Sequence, residues 1–374
     1  PGPWRLPHHH HGILGYCRQF GVALENFVQV NHQALLHSTE AFDGKPQRYR
    51  TVKADYQGHV AELLAKSAQG GRLDAPLARE DLEKLLESLR WWGALDKDFR
   101  YAKNLRSSDR RGFDRDPGGG VSGMPLPSTP VGLKQMLDAG LWHSLPIGDL
   151  YEMQGTLLQP VGGMDRIADA FAQRLQGLIR FNAKVVDIHQ DERGVRATYE
   201  DTTAPGRRET AGADWCICTL PLSILGQVPM NVGRPMADAI SAVPYAAAVK
   251  VGLQFKRRFW EEDEHIYGGI SYTSQPIGNI GYPSTGYHAS GKGVLLGGYL
   301  WGKDAARFTS MSPAERVREA VRQGRQLHPQ YDQEFDSGVS LAWHRAPGAM
   351  GCFALWTEEV RRTHYANLCA LDGR

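Results

Sequence analysis

Several groups of residues in this 374-residue sequence could do chemistry, and each implies a different chemistry. His8-His9-His10-His11 are metal ligands by type. Adjacent residues of a helix or strand point in different directions, however, so four in a row rarely converge on one ion, and the run reads better as the surface entry to a helix. Cys216 and Cys218 lack the two-residue spacer of common zinc and redox motifs; in a strand they share one face and read as small buried hydrophobes. Gly118, Gly120 and Gly123 spell G-x-G-x-x-G once. A dinucleotide site needs that pattern between a strand and a helix N-terminus, where backbone N–H groups and the helix dipole meet a pyrophosphate. Asp116-Pro117 before it and Pro125, Pro127 and Pro130 after it supply neither, so the segment reads as a loop. Lys250, Arg5, Tyr299 and Trp343 remain. Taken singly they are a lysine on a solvated strand face, a surface arginine and two core aromatics. No catalytic triad, zinc motif or Walker loop is present, and neither His143 nor His344 stands out as an acid or base.

The elements that must position these residues follow from periodicity. Residues 12–20 predict a short amphipathic helix; Val28 to Ser38 and Gln47 to Val52 read as strands. From about 51 to 157 the pattern is helical. Leu82, Leu85, Leu86 and Leu89 recur at i, i+3, i+4, i+7, with Asp74 and Pro76 as start signals. Thr129-Pro130 opens another helix carrying Leu133, Met136, Leu137 and Leu141. Arg106 to Pro127, rich in charge, Gly and Pro, predicts a long loop between them. Gln159-Pro160-Val161-Gly162-Gly163-Met164-Asp165 leads into a helix with Ile167, Phe171 and Leu175 on one face. A hairpin follows, Val185-Val186-Asp187-Ile188 and Val195-Arg196-Ala197-Thr198-Tyr199 about a turn at 191–194, and then an apolar run, Asp214 to Leu220, that predicts a buried strand. Val249, Val251, Leu253 and Phe255 alternate with Lys250, Gly252 and Gln254, the pattern of a half-buried strand with Lys250 opposite the valines. Gly293 to Trp301 is another strand. Ser312-Pro313-Ala314-Glu315 is a capping box opening a helix to about Leu327, and Val339, Leu341 and Trp343 mark a last strand.

Bulk properties bound the rest. The length demands two or three domains, and 41% apolar with 22% charged residues is ordinary globular composition. A net charge of +2 gives no reason to expect nucleic acid or an acidic membrane as partner. No apolar run approaches the ~20 residues needed to span a bilayer. Five sparse cysteines favour a reducing compartment and hence a cytoplasmic location, although Pro1 is not a natural N-terminus.

The order of several short blocks resembles the flavin-containing amine oxidase superfamily, most closely the bacterial L-amino-acid oxidases. The blocks are Gly2-Pro3-Trp4-Arg5-Leu6-Pro7, Pro160-Val161-Gly162-Gly163-Met164-Asp165, Phe181-Asn182-Ala183-Lys184-Val185, Cys218-Thr219-Leu220-Pro221, Val249-Lys250-Val251, Phe259-Trp260, Gly298-Tyr299-Leu300-Trp301-Gly302, and Trp343 with Gly351. The resemblance implies an α/β (α+β) fold: an incomplete Rossmann-like FAD-binding domain, a mixed-sheet substrate domain and a helical insertion. Residues 1–50 and 245–345 would form the substrate domain, 51–157 the helical domain, and 158–244 with 346–374 the FAD-binding domain. A full member carries a strand, G-x-G-x-x-G and an acidic residue before the equivalent of Pro1, and a closing strand and helix after Leu371-Asp372-Gly373-Arg374. The expectation is therefore a chain shortened at both ends.

The resemblance also implies roles. Gly2, Pro3, Trp4 and Arg5 would lie against FAD, with Arg5 offering its guanidinium to a substrate carboxylate and Tyr299 a phenol to the same group. Lys250 would hold a water near flavin N5, Val185 would meet the adenine through its backbone, and Trp343 would lie beside the isoalloxazine. Phe353 and Trp356 would line the side-chain pocket, and no metal is expected. The implied reaction oxidises an L-amino acid with oxygen to the 2-oxo acid, ammonia and hydrogen peroxide, in a possible homodimer. A flavin amino-acid monooxygenase making an amide, a simple amine oxidase, and a non-catalytic fragment remain as alternatives.

Overall fold

The computed structural model describes residues 3–74, 77–120 and 123–374. Its centre is a seven-stranded mixed sheet whose strand order runs Phe335–Ala342, Ala248–Phe255, Gly293–Trp301, Asn279–Gly281, Ile270–Thr273, Leu35–His37, Gln47–Arg48. Alternation in Ala248–Phe255 works as its sequence dictates. Val249, Val251, Leu253 and Phe255 are wholly buried, while Lys250, Gly252 and Gln254 take the other face, half-buried. Their apolar face packs on Phe259, Trp260, Phe308 and Tyr331. The helix Pro313–Gly324 lies over this core. Its predicted capping box forms, with Ser312 N donating to Glu315 Oε2 at 2.8 Å and Glu315 N to Ser312 Oγ at 3.3 Å. It stops at Gly324, short of Leu327, where the Tyr331 ring lies 2.2 Å from where a Cβ would stand. The mixed α/β fold with a mixed sheet agrees with what the family resemblance implies.

Several local expectations give way to tertiary context. Of Val28 to Ser38 only Leu35–His37 is a strand, and its partner along Ile270–Thr273 runs parallel. The strand expected over Gln47 to Val52 is two residues long. Tyr49 already begins the helix Tyr49–Gln69, because Tyr49 and Val52, three apart, both face the core with Leu36, Met136 and Leu141. The predicted loop from Arg106 to Pro127 contains the helix Leu105–Arg111, capped by an Asn104–Ser107 box, and a short strand pair, Phe113–Arg115 with Leu126–Pro127. Leu141 falls outside the helix Leu133–Asp138, in a 3-10 segment, Leu141–Asp149. Pro76 lies outside the described residues, but the helix it was read to introduce is present as Arg79–Trp92, with Leu85, Leu86 and Leu89 packed on Ala61 and Ala65.

The hairpin Ala183–Asp191 with Gly194–Asp201 forms, extended by a third antiparallel strand, Arg208–Ala213. The apolar run that follows does not. Residues 214–220 have no strand structure, Ile217 is 91% exposed, and Cys216 and Cys218 are exposed rather than buried. A buried strand needs paired neighbours for its backbone and a cover for its side chains, and no described strand lies beside this run. The closing strand is Phe335–Ala342; Trp343 lies just past it, opening the 3-10 turn Trp343–Arg345.

The helical part of the chain is tied to the long helix Tyr49–Gln69 by one buried carboxylate. Asp55 Oδ1 accepts from Tyr101 OH and Arg111 Nε, each at 2.7 Å, and Oδ2 accepts from Arg111 Nη2 at 3.1 Å and Val131 N at 2.9 Å. Both ionic partners are almost wholly buried, so neither charge has water to fall back on. The Tyr101 ring reaches Asp55 by crossing Gly58 at 2.3 Å from where a Cβ would be. Removing one member of a buried pair strands the other, at a cost of about 3–5 kcal/mol. Asp55→Ala is therefore expected to lower unfolding stability by about that amount, and Asp55→Leu with Arg111→Met to recover most of it. Urea unfolding followed by circular dichroism checks this; equal loss in the single and double variants contradicts it.

Candidate functional site

Strand pairing makes the first contact of the site. Antiparallel register sets Lys250 directly opposite Tyr299, on the face of the sheet away from the valines. The Lys250 Nζ stands 4.5 Å from the centre of the Tyr299 ring, within cation–π range. Burial lowers the Lys250 pKa; Cys352 pushes it back up and Arg5 adds to the lowering. Burial raises that of Tyr299, and Cys352, whose Sγ lies 3.8 Å from the hydroxyl, raises it further. Tyr299 therefore stays a phenol over the whole physiological range and remains a donor.

The N-terminal segment brings the second cation. Leu6 is locked to Leu158 by a reciprocal backbone pair at 2.7 and 3.3 Å. Trp4 sits edge-on to Phe27 and to Tyr299, with ring centres 5.6 and 6.0 Å apart, and fills the space that a side chain at Gly281 would need. Between these anchors Arg5 is 24% exposed. Among the described residues its guanidinium is held by Nη2 to Glu152 Oε1 at 3.5 Å, and its buried Nε has no partner there. Its charge acts on Lys250, Tyr299 and Tyr272, adding to the lowering of the first pKa and opposing the rise of the other two.

The other expected residues divide. Phe353, half-exposed, joins the cluster through Trp301, whose ring lies tilted against Phe353 at 5.4 Å and against Tyr299 at 4.4 Å. Trp343 is half-buried, and its indole Nε1 has no hydrogen-bond partner. Trp356 packs elsewhere, against Tyr365 and beneath Arg361 on the helix Glu358–Cys369. Val185 pairs with Tyr199 in the separate three-stranded sheet, with no contact to Lys250 or Tyr299. Pro3 is exposed, and Gly2 lies outside the described residues. His344 hydrogen-bonds Thr309 at 3.0 Å. Sequence reading missed Glu152, Tyr272, Trp301 and Cys352. Only Trp301 carried a signal, being two residues from Tyr299 in one strand. His8 and His9 lie against one another and Tyr151, and no metal-ligand cluster occurs among the described residues. Gly118 and Gly123 close on each other, with Gly118 O 2.2 Å from where a Cβ on Gly123 would stand.

Comparison with known proteins places this chain in a family. Residues 1–374 match the flavin containing amine oxidoreductases. The chain belongs to that family. An L-amino-acid oxidase of Bothrops pauloensis is 28% identical over 316 residues, covering 83% of this chain and 59% of the relative. A putative L-amino-acid oxidase of Bacillus subtilis is 25% identical over 394 residues, covering 100% of this chain and 77% of the relative. Among solved structures, a putrescine oxidase redesigned in its cofactor binding matches with a TM-score of 0.61 at 15% identity, covering 100% of this chain and 80% of the other. The cyclohexylamine oxidase from Brevibacterium oxydans gives 0.55 at 14%, covering 98% and 80%. At these identities the structures show a shared fold alone. The chain spans just 59% of the length of the Bothrops relative.

The cofactor of this family is a flavin, FAD. One feature fits a flavin ring: the indole N–H of Trp343, without a partner among the described residues, is a donor that a polar heterocycle can use. A cradle for its pyrophosphate is not formed among the described residues. One consequence of the desolvated ammonium can be tested on the protein as it stands. Because its pKa is lowered, Lys250 loses its proton at a lower pH than surface lysines and should acylate with acetic anhydride at a correspondingly lower pH. Peptide mass spectrometry across pH 6 to 10 (roughly the span below the ordinary lysine pKa) reads this. A Lys250 profile coincident with that of the exposed Lys134 argues against it.

Proposed function

We propose that the whole protein is an FAD-dependent L-amino-acid oxidase. The observation that carries this reading is Arg5: among the described residues its guanidinium is held by one long ion pair and its buried Nε has no partner, and its charge acts on a phenol that stays protonated. A planar guanidinium donates two parallel hydrogen bonds to a carboxylate and keeps its charge. Together Arg5 and Tyr299 can fix one end of an α-amino acid. Bound FAD supplies the two-electron chemistry, and oxygen with water completes the balance: amino acid, oxygen and water give 2-oxo acid, ammonium and hydrogen peroxide. The work of the chain is to orient the substrate, with the half-buried Lys250 beside Tyr299 and the rings of Trp301 and Phe353 at the solvent edge of the cluster. The relatives named as L-amino-acid oxidases support this substrate class. The structural neighbours are named for amines without a carboxylate, and an amine would leave Arg5 unused.

Losing a buried charged hydrogen bond costs roughly 2–5 kcal/mol. Arg5→Ala, in the full-length flavin-loaded protein, is therefore expected to lower kcat/KM for amino acids by on the order of hundreds-fold while sparing any turnover of simple amines. Peroxide release measured on a panel of amino acids and amines decides it. Unchanged kcat/KM removes Arg5 from the site, and an amide product in place of the 2-oxo acid moves the reading to a monooxygenase.

A further inference from the structure

We infer that Cys352 is a positioning residue of the carboxylate seat, its sulfur holding the Tyr299 hydroxyl until an incoming carboxylate takes the proton-donating bond over. The inference deepens the function proposed above and rests on it.

The backbone fixes where this thiol points. Cys352 N donates to Ala246 O and Ala246 N to Phe353 O, both at 2.9 Å, and Leu355 N donates to Pro244 O at 2.7 Å. Residues 352–355 are thereby laid along 244–246, just ahead of the strand that carries Lys250. Gly351 lies flat on Tyr245, where an added Cβ would be 2.5 Å from the ring, so the segment cannot roll. The sulfur then faces Tyr299 OH at 3.8 Å and is close enough to Lys250 to be felt there. Cys17, by contrast, is 1% exposed and serves as an apolar filler. Cys352 is only half-buried, in contact with a phenol and near two cations, at the edge where Phe353 and Trp301 reach solvent.

Sulfur suits this task because it is a weak acceptor. It orients the hydroxyl but surrenders it to a carboxylate, which accepts far more strongly. An oxygen at the same place would compete. Cys352→Ser should therefore raise KM for the amino acid by about 3–10-fold, with less effect on kcat, as expected for one neutral hydrogen bond that must be broken on binding. The effect passes through Tyr299, so in a Tyr299→Phe background the same substitution should change KM by less than about twofold, whereas a merely structural role would move KM in both backgrounds.

A second readout is independent of turnover. Benzoate, a carboxylate with no α-amino group, should slow alkylation of Cys352 by iodoacetamide while leaving Cys369 unprotected, read by peptide mass spectrometry on the full-length flavin-loaded protein. Equal KM effects with and without the Tyr299 hydroxyl, or alkylation of Cys352 unaffected by benzoate, overturn the inference. If the unsubstituted enzyme releases peroxide with no amino acid, the oxidase reading fails, and protection by benzoate alone then decides the role of Cys352.

Discussion

Everything in the site hangs on the antiparallel pairing of Ala248–Phe255 with Gly293–Trp301. The pairing is driven from its far side, where Val249, Val251, Leu253 and Phe255 leave water together with Phe259, Trp260 and Tyr331. Such burial is the dominant favourable term in folding. A slip of one residue would turn every one of those side chains to the wrong face, so the core holds the register. Lys250 and Tyr299 are then set against each other as a by-product of apolar packing.

The polar side of that sheet is an electrostatically tense place. Two cations, Arg5 and Lys250, share it with a phenol and a thiol, and one partly exposed carboxylate, Glu152, offsets them. The proposed seat for a substrate carboxylate at Arg5 rests on this concentration of positive charge. Elsewhere the chain handles buried charge differently. Asp55 and Arg111 satisfy one another and their neighbours fully, and the result is a structural tie with nothing left to give.

Much of the fold was legible in the sequence. The alternation at 248–255, the hairpin at 183–201, the capping box at Ser312 and the leucine stripe of Arg79–Trp92 are local patterns, and each appears where its period places it. Two of the errors share one cause. Residues 214–220 and 47–52 have strand-like composition, but strand structure requires a partner, and the composition of a segment does not say whether a partner lies beside it.

The same division holds for the site. The order of short blocks was sufficient to assign the family and to single out Arg5, Tyr299 and Lys250, because each block has its own local signature. Which of the candidates meet was decided by the tertiary structure alone. It brings Arg5 to Tyr299 through the Leu6–Leu158 bridge and the wedge of Trp4, joins Phe353 through Trp301, sends Trp356 to Tyr365, and adds Glu152 and Cys352, which no pattern marked. Side-chain type and spacing are properties of a few consecutive residues. Convergence depends on sheet order and register, which are settled by burial summed over the whole chain.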